Sequence, residues 1–531
     1  MYDLLIADAL LYDGTGAPPV EGSIAIQGDR IAEVGPEVGG PARRVLNAAG
    51  YAAAPGFVDI HSHSDYHLLL APEAASSLLQ GVTLEVGGNC GYAAAPIAGP
   101  WQREREETYG EVYGLSLGFS TVAEYFARLT RERIGINFAL LMGHNTLRGS
   151  ILGGANRAPT PEEAERMAAL ARRGMAEGAV GLSTGLVYAP ACFAKPEELT
   201  ALATVVRQAG GILTAHIRSE GDGLLEALEE ILGVAEAAAI PLQVSHLKPS
   251  GEQNWGKLPD AIALIERALS RGLTVRCDRY PYTAANTGLS ACLPSWALEG
   301  GRDAQVARLG DPAVRERLTA ELEAQGKTGT YWDRVMIAEV VTEGNKRFEG
   351  LRVSRAAAAA GKPPPPFVLD LLVAEKMQVD AIYFTMSEEN LRQILAKPYV
   401  MIGSDAGTRN FTGPLSGGHP HPRGFGTFPR VLGHCVRDLG LFDLATAIRK
   451  MTWDPCRMVG LHDRGRLIPG AVADLVLFDP DRVRDEATYE DPYRPPSGIA
   501  WVLVNGQVAV EAGALTEVRA GRPVRPVRRG A

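Results

Sequence analysis

Gly56-Phe57-Val58-Asp59-Ile60-His61-Ser62-His63-Ser64-Asp65 is the stretch on which the reading of this chain turns. A short apolar run ends in two histidines separated by one residue. In a β-strand, residues i and i+2 point to one face, so both imidazoles leave the strand end on the same side, within reach of a single ion. Imidazole is a common ligand for Zn²⁺ and its first-row neighbours. A bare His-x-His is a weak signal. Its weight comes from what recurs further along the chain.

Matching residues close later apolar runs. Cys90 follows Val82–Val86 in Gly88-Asn89-Cys90-Gly91, His216 ends Ile212–His216, His246 ends Leu242–His246, and Asp405 follows Tyr399–Ile402. With Phe57–His61, Asn137–Met142, Val180–Ser183 and Leu273–Cys277 the strand candidates number eight. Helical stretches such as Pro161–Glu177, Leu224–Ala239 and Leu258–Arg271 lie between several of them. Eight βα repeats predict an α/β fold, a (β/α)₈ TIM-like barrel whose active site lies at the C-terminal strand ends.

Each candidate ligand taken alone has an ordinary explanation. A free Cys is most often buried, a lone His can be a satisfied core residue, and an Asp after a strand is often a turn residue or helix cap. The joint pattern decides, because six metal-type or acid/base residues fall on five strands at the same end. His67, His434 and His462 are read as structural, and His144 as support from behind the site.

Both ends of the chain differ from this middle. Asp3–Leu11, Ser23–Ile26 and Ile31–Val34, and later Asp474–Phe478, Ile499–Val504 and Gln507–Val510, read as short strands separated by turns. Residues 1–54 and 467–531 are thus candidates for pairing into one small β-domain, which the sequence pattern alone does not establish, around a barrel at 55–466. The gap at about 285–395 is too long for one βα connection and reads as an insertion of the lid or substrate-binding kind. Within it, Lys362-Pro363-Pro364-Pro365-Pro366 reads as a rigid surface linker.

The bulk properties narrow the function. Over 531 residues, 46% hydrophobic and 22% charged residues describe an ordinary globular chain, and the net charge of −9 argues against nucleic-acid or anionic-membrane partners. No apolar run is long enough to span a bilayer, and the N-terminus lacks the basic start of a secretory signal. Six scattered cysteines do not form a disulfide framework, so a cytoplasmic protein is expected.

Several motifs together resemble the amidohydrolase superfamily and, within it, the N-acyl-D-amino-acid deacylases (D-aminoacylases). They are Pro55 to His63, Gly88 to Gly91, Gln243 to Lys248, Tyr280-Pro281-Tyr282-Thr283, His421 to Arg430, and Gly465 to Val476. The resemblance spans nearly the full length. It implies the barrel with its small β-sandwich, a tightly held Zn²⁺ on Cys90, His216 and His246, and a second, weaker position near His61 and His63. Many binuclear relatives carry a carboxylated lysine on strand four. Here that region, Gly181 to Tyr188, has none, and a Cys90 thiolate would bridge instead. This favours linear N-acyl-D-amino acids over the alternative, a cyclic-amide hydrolase of the hydantoinase or dihydroorotase kind.

The chemistry expected is zinc-dependent amide hydrolysis releasing a D-amino acid and a carboxylate. Asp405 would take a proton from the attacking water and return it to the leaving nitrogen. Lys248, Arg423 and one of Tyr280 and Tyr282 would hold the substrate's α-carboxylate.

Overall fold

The structure, a computed structural model, describes residues 1–526; the last residues of the expected terminal β-domain, 527–531, lie outside the described residues. The N-terminal segment forms β1 (Tyr2–Leu11), β2 (Val20–Gln27), β3 (Arg30–Gly35), β4 (Ala42–Asn47) and β5 (Ala52–Pro55). Gly56 alone separates β5 from β6 (Phe57–Asp59), the first barrel strand. A side chain at Gly56 would meet the Thr83 side chain at 2.2 Å, so the passage between the two sheets needs glycine.

The barrel continues with β7 (Val82–Gly87), β8 (Asn137–Gly143), β9 (Gly181–Gly185), β10 (Ile212–His216), β11 (Leu242–Val244) and β12 (Val275–Arg279). Three strands of the insertion follow, β13 (Ala285–Gly288), β14 (Val335–Glu339) and β15 (Asp380–Tyr383), before the eighth barrel strand, β16 (Val400–Ile402). All eight expected barrel strands are present, in parallel order from β6 through β12 to β16. Their residues are buried almost throughout, as in parallel sheets covered by helices. The helix Pro161–Glu177 shows why local sequence placed these elements well. Thr160 and Glu163 form a capping box, and Pro161 occupies the first turn, where no backbone N–H is needed.

No ladder joins β6 to β16 among the described residues. The barrel closes one turn beyond the strand ends instead. Asp405 N donates to His61 O at 2.8 Å, and His63 N donates to Ala406 O at 3.0 Å.

At the far end, β17 (Leu475–Phe478), β18 (Ile499–Val504), β19 (Gln507–Glu511) and β20 (Ala514–Leu515) complete the chain's strands. β17 pairs antiparallel with β5, so both termini share one nine-stranded sheet. It curls into a small β-sandwich over Leu4, Ile6, Ile24, Ile26, Leu475, Leu477 and Leu503. β4 and β5 carry alanines and charges rather than a β-rich alternation, which hid them from sequence reading.

The insertion has an antiparallel sheet, β13-β15-β14, and its own apolar core around Trp332, Phe348, Phe367 and Leu372. The proline run is not a linker. Pro364–Ala374 is a helix, with Pro363 at its cap and Pro365 buried. The prolines fill the first turn, where the missing N–H groups would have no intrahelical partner. No described helix is long and apolar enough to cross a membrane, and all six cysteines are free.

Asp474 ties the two sheets together. Buried beside Arg464 (2.7 Å), it also accepts from Asn137 Nδ2 at the start of β8 (3.0 Å) and from Asn505 N (2.7 Å). Removing one member of a buried pair leaves an uncompensated charge. Asp474→Ala should lower unfolding free energy by about 3–5 kcal/mol, read as a fall in the urea midpoint.

Candidate metal centre and active site

Six of the expected residues converge at the C-terminal mouth. Donor atoms of Cys90, His216 and His246 lie within 4.8 Å of one another, as do those of His61, His63, Cys90 and Asp405. Cys90 belongs to both groups. Its Sγ is 3.3 Å from His61 Nε2 and 3.5 Å from His246 Nε2. Asp405 Oδ1 lies 2.9 Å from His63 Nε2 and 3.3 Å from His61 Nε2. His216 Nδ1 is buried and has no hydrogen-bond partner among the described residues. A thiolate with imidazoles suits zinc rather than magnesium or calcium, and two overlapping donor sets fit one or two such ions.

Neighbouring groups prepare these donors. Burial alone would raise the Cys90 thiol, but the imidazoles of His61 and His246 outweigh it and hold the thiol well below its ordinary range. The thiolate is the ligating form. Burial likewise opposes ionisation of Asp405, yet Arg423, His246 and His61 keep its carboxyl well below the usual carboxylate range. Asp278 on β12 sits 3.0 Å from His61 Nδ1 and accepts from His246 N at 2.8 Å. A proton held on His61 Nδ1 leaves Nε2 with its lone pair toward Cys90, the usual carboxylate–histidine support of a metal site.

The Cys90 loop is held from two sides. Asp65, the last residue of the opening motif, accepts from Gly88 N (2.9 Å) and Ala94 N (3.1 Å). Ser183 on β9 accepts from Gly91 N (3.0 Å) and donates to Gly88 O. Thus the strand that carries no lysine supports the cysteine loop instead. Gly88 and Gly91 have φ of +78° and +81°, and a Cβ on either would lie about 2 Å or less from Leu141 O or Asn145 Oδ1.

Three site residues that are not glycine also have positive φ: Cys90 (+52°), His246 (+35°) and Asp405 (+55°). Each such conformation costs an L-residue roughly 1–2 kcal/mol, and strain of this kind gathers at functional sites.

The anchors expected for a carboxylate fare unequally. Arg423 is buried, donates from Nη1 to Asp405 Oδ2 (2.8 Å) and from Nη2 to Asn286 O (3.3 Å), and stacks 4.6 Å over the Tyr280 ring. Arg423 Nε and Tyr280 Oη are buried donors with no partner among the described residues. Burial raises the Tyr280 phenol, and the cations Lys248, Arg279 and Arg423 more than reverse that. Tyr282 is not brought to the cluster. Its hydroxyl points to Asp485 (3.4 Å), and its ring lies under Arg430, because the Pro281 turn ends the strand alternation that would align the two tyrosines. Lys248 reaches the site but not as a free ammonium. Its three hydrogens face Glu220 Oε1, His246 Nδ1 (2.8 Å) and His246 O (3.1 Å).

Glu220, Asp278, Ser183 and Tyr188 were not singled out by the sequence. Glu220 Oε1 lies 2.8 Å from His246 Nδ1, and Tyr188 packs its ring 4.9 Å from His216 while its hydroxyl meets Thr287 Oγ1 at 2.9 Å. Glu220 stands four residues after His216, which was the available signal. Among the other histidines, His144 is occupied by Thr184 and Glu198, and His67 by Thr408 O.

The model of the amidohydrolase family matches residues 44–510, and the chain belongs to that family. More particularly, it is 36% identical to the D-aminoacylase of Alcaligenes xylosoxydans xylosoxydans, over 98% of this chain and 97% of that one. It is 33% identical to the N-acyl-D-aspartate deacylase of the same organism, over 99% and 95%. Among solved structures it resembles the N-acyl-D-glutamate deacylase of Bordetella bronchiseptica, complexed with zinc and a phosphonate mimic of the tetrahedral intermediate. That match has a TM-score of 0.83 and 34% identity, covering 99% of both chains.

The positive φ at Cys90 reverses an ordinary preference. Measured without metal, Cys90→Gly should be more stable than Cys90→Ala by about 1 kcal/mol, seen as a higher urea midpoint. In an ordinary strand or helix glycine would be the worse choice.

Proposed function

We propose that this chain is a zinc-dependent deacylase that hydrolyses N-acyl-D-amino acids to a D-amino acid and a carboxylate. The observation that carries the reading is Cys90 shared between two donor sets, with Asp405 in one of them. The similarity to deacylases of three side-chain classes agrees with it. Cys90, His216 and His246 would hold zinc firmly, and His61 and His63 a second, weaker ion. When bound, zinc acidifies a water molecule and polarises the acyl carbonyl.

The remaining steps belong to the chain's own residues. Asp405, kept ionised by Arg423 and the imidazoles, accepts the proton of the attacking water. It returns that proton to the amide nitrogen as the C–N bond breaks, so no free amide anion leaves. Arg423 Nε and Tyr280 Oη, buried donors without partners among the described residues, suit the α-carboxylate. Lys248 contributes positive charge through Glu220 and His246 rather than by direct contact. With the acyl oxygen held at one end and the α-carboxylate at the other, only one rotation about the joining line remains. One enantiomer then puts its side chain toward open space and the other toward the wall. A cytoplasmic compartment suits the six free thiols.

Two experiments test this reading. Elemental analysis of the purified protein should find zinc, and N-acetyl-D-amino acids should be cleaved in preference to their L-forms. Asp405→Asn should keep the firmly held zinc while turnover falls between about a hundred- and ten-thousandfold. Zinc-free protein with full activity would refute the assignment.

The second concerns the anchor. Arg423→Met should lower kcat/KM on an N-acetyl-D-amino acid about ten- to a hundredfold more than on its methyl ester. Equal losses on acid and ester would mean that Arg423 shapes Asp405 without reading the carboxylate.

A further inference from the structure

The insertion sheet has two faces. Ala381 and Tyr383 of β15 turn into the insertion's own core, with Val335 and Ile337. Ile382 turns the other way, onto Ala284, Met336 and Ala338. Alternation places Asp380, the first residue of β15, on this second face. The β13 edge of this sheet leads to the metal centre. Gly288 pairs with Asp380, and Asn286, two residues along β13 or roughly 7 Å away, gives its carbonyl to Arg423.

Asp380 is solvent-exposed, and its carboxyl makes no hydrogen bond or ion pair among the described residues. Its opposite partner on β14 is Glu339. Like charges directly opposite across a ladder are unfavourable, and Glu339 is compensated by Arg409 whereas Asp380 is not. The cations that act on Asp380 are Arg409, Arg423 and His63, and each already holds a carboxylate, Glu339 for the first and Asp405 for the other two. Of two other candidates for an acidic side chain, one is paired and the other is sealed in the interior with Nε and Nη1 unpartnered among the described residues. Arg218 forms a two-point pair with Glu230, and Arg279 lies sealed against the Tyr280 ring at 4.2 Å. The protein that surrounds Asp380 despite its access to solvent, together with Glu339, raises its carboxyl to about 6 against the pull of the cations, so it is ionised at neutral pH and above.

We propose that Asp380 sets the side-chain charge preference of the site: N-acyl-D-amino acids with uncharged or cationic side chains are accepted, and those with carboxylate side chains are turned away. The inference rests on the deacylase reading above and adds the substrate class. The geometry is that of an N-acyl amino acid, with the α-carboxylate at Arg423 and the side chain extending along β13 toward Asp380. Identity does not separate the three classes, at 36% to the D-aminoacylase, 35% to the D-glutamate and 33% to the D-aspartate deacylase. The unpaired charge does.

The test compares kcat/KM for the N-acetyl derivatives of D-methionine, D-lysine and D-glutamate, on the zinc-loaded enzyme well above the pKa of Asp380. The wild type should favour D-lysine over D-glutamate by at least an order of magnitude. That ratio should fall about tenfold in Asp380→Asn and Asp380→Ser and stay high in Asp380→Glu, which keeps the charge. Replacing Asp380 relieves its repulsion with Glu339, and thermal unfolding of each variant checks that it folds. Wild-type preference for D-glutamate, or a ratio unmoved in folded Asp380→Asn, would overturn the proposal while D-methionine turnover left the deacylase reading standing. Failure of all three substrates with the wild type would overturn both.

Discussion

Two backbone hydrogen bonds, Asp405 N to His61 O and His63 N to Ala406 O, close the barrel where its first and last strands fail to form a ladder. They act beyond the strand ends, at the level of the catalytic mouth. Closure of the fold and assembly of the site are therefore one event. Side chains reinforce them: Asp59, the last residue of β6, accepts from Ser404 N at 2.9 Å, and Ser64 Oγ accepts from Thr408 N at 2.7 Å. Gly403 permits the approach, since a Cβ there would come within 2.6 Å of His61 Cβ.

Carboxylates do most of the organising behind the ligands. Asp65 holds the cysteine loop, Asp278 orients His61 and the backbone at His246, and Glu220 sits between Lys248 and two imidazoles. Each would be costly to bury alone. Each is satisfied by several donors. Cys90, His246 and Asp405 add backbone strain, which that network over-determines. The site is thus stabilised by its surroundings rather than by its own local preferences.

What the sequence disclosed follows from this. Strand ends bearing Cys90, His216, His246 and Asp405 were legible because parallel strands are short apolar runs, and a ligand at the end of one stands out. The helix Pro161–Glu177 was legible because its cap is local. Asp278 and Glu220 were not, because a carboxylate's role depends on which imidazole lies against it. The proline run misled because Pro at a first helical turn and Pro in a linker look alike until Phe367 and Leu372 find a core. Tyr280 and Tyr282 could not be told apart without the turn at Pro281. The position of Asp380 required the face of a sheet that pairs residues nearly a hundred apart.

The gap in the ladder gives the two halves of the site unequal mechanical footing. Cys90, His216 and His246 follow β7, β10 and β11, which are joined by unbroken pairing through β8 and β9. His61, His63 and Asp405 stand on opposite banks of the seam, tied by only a few bonds. A fluctuation that parts the seam carries Asp405 from its histidines and leaves the other trio in register. Local opening of this sort needs far less free energy than global unfolding. One donor set rides on continuous scaffold and its neighbour on a joint, with the Cys90 sulfur common to both.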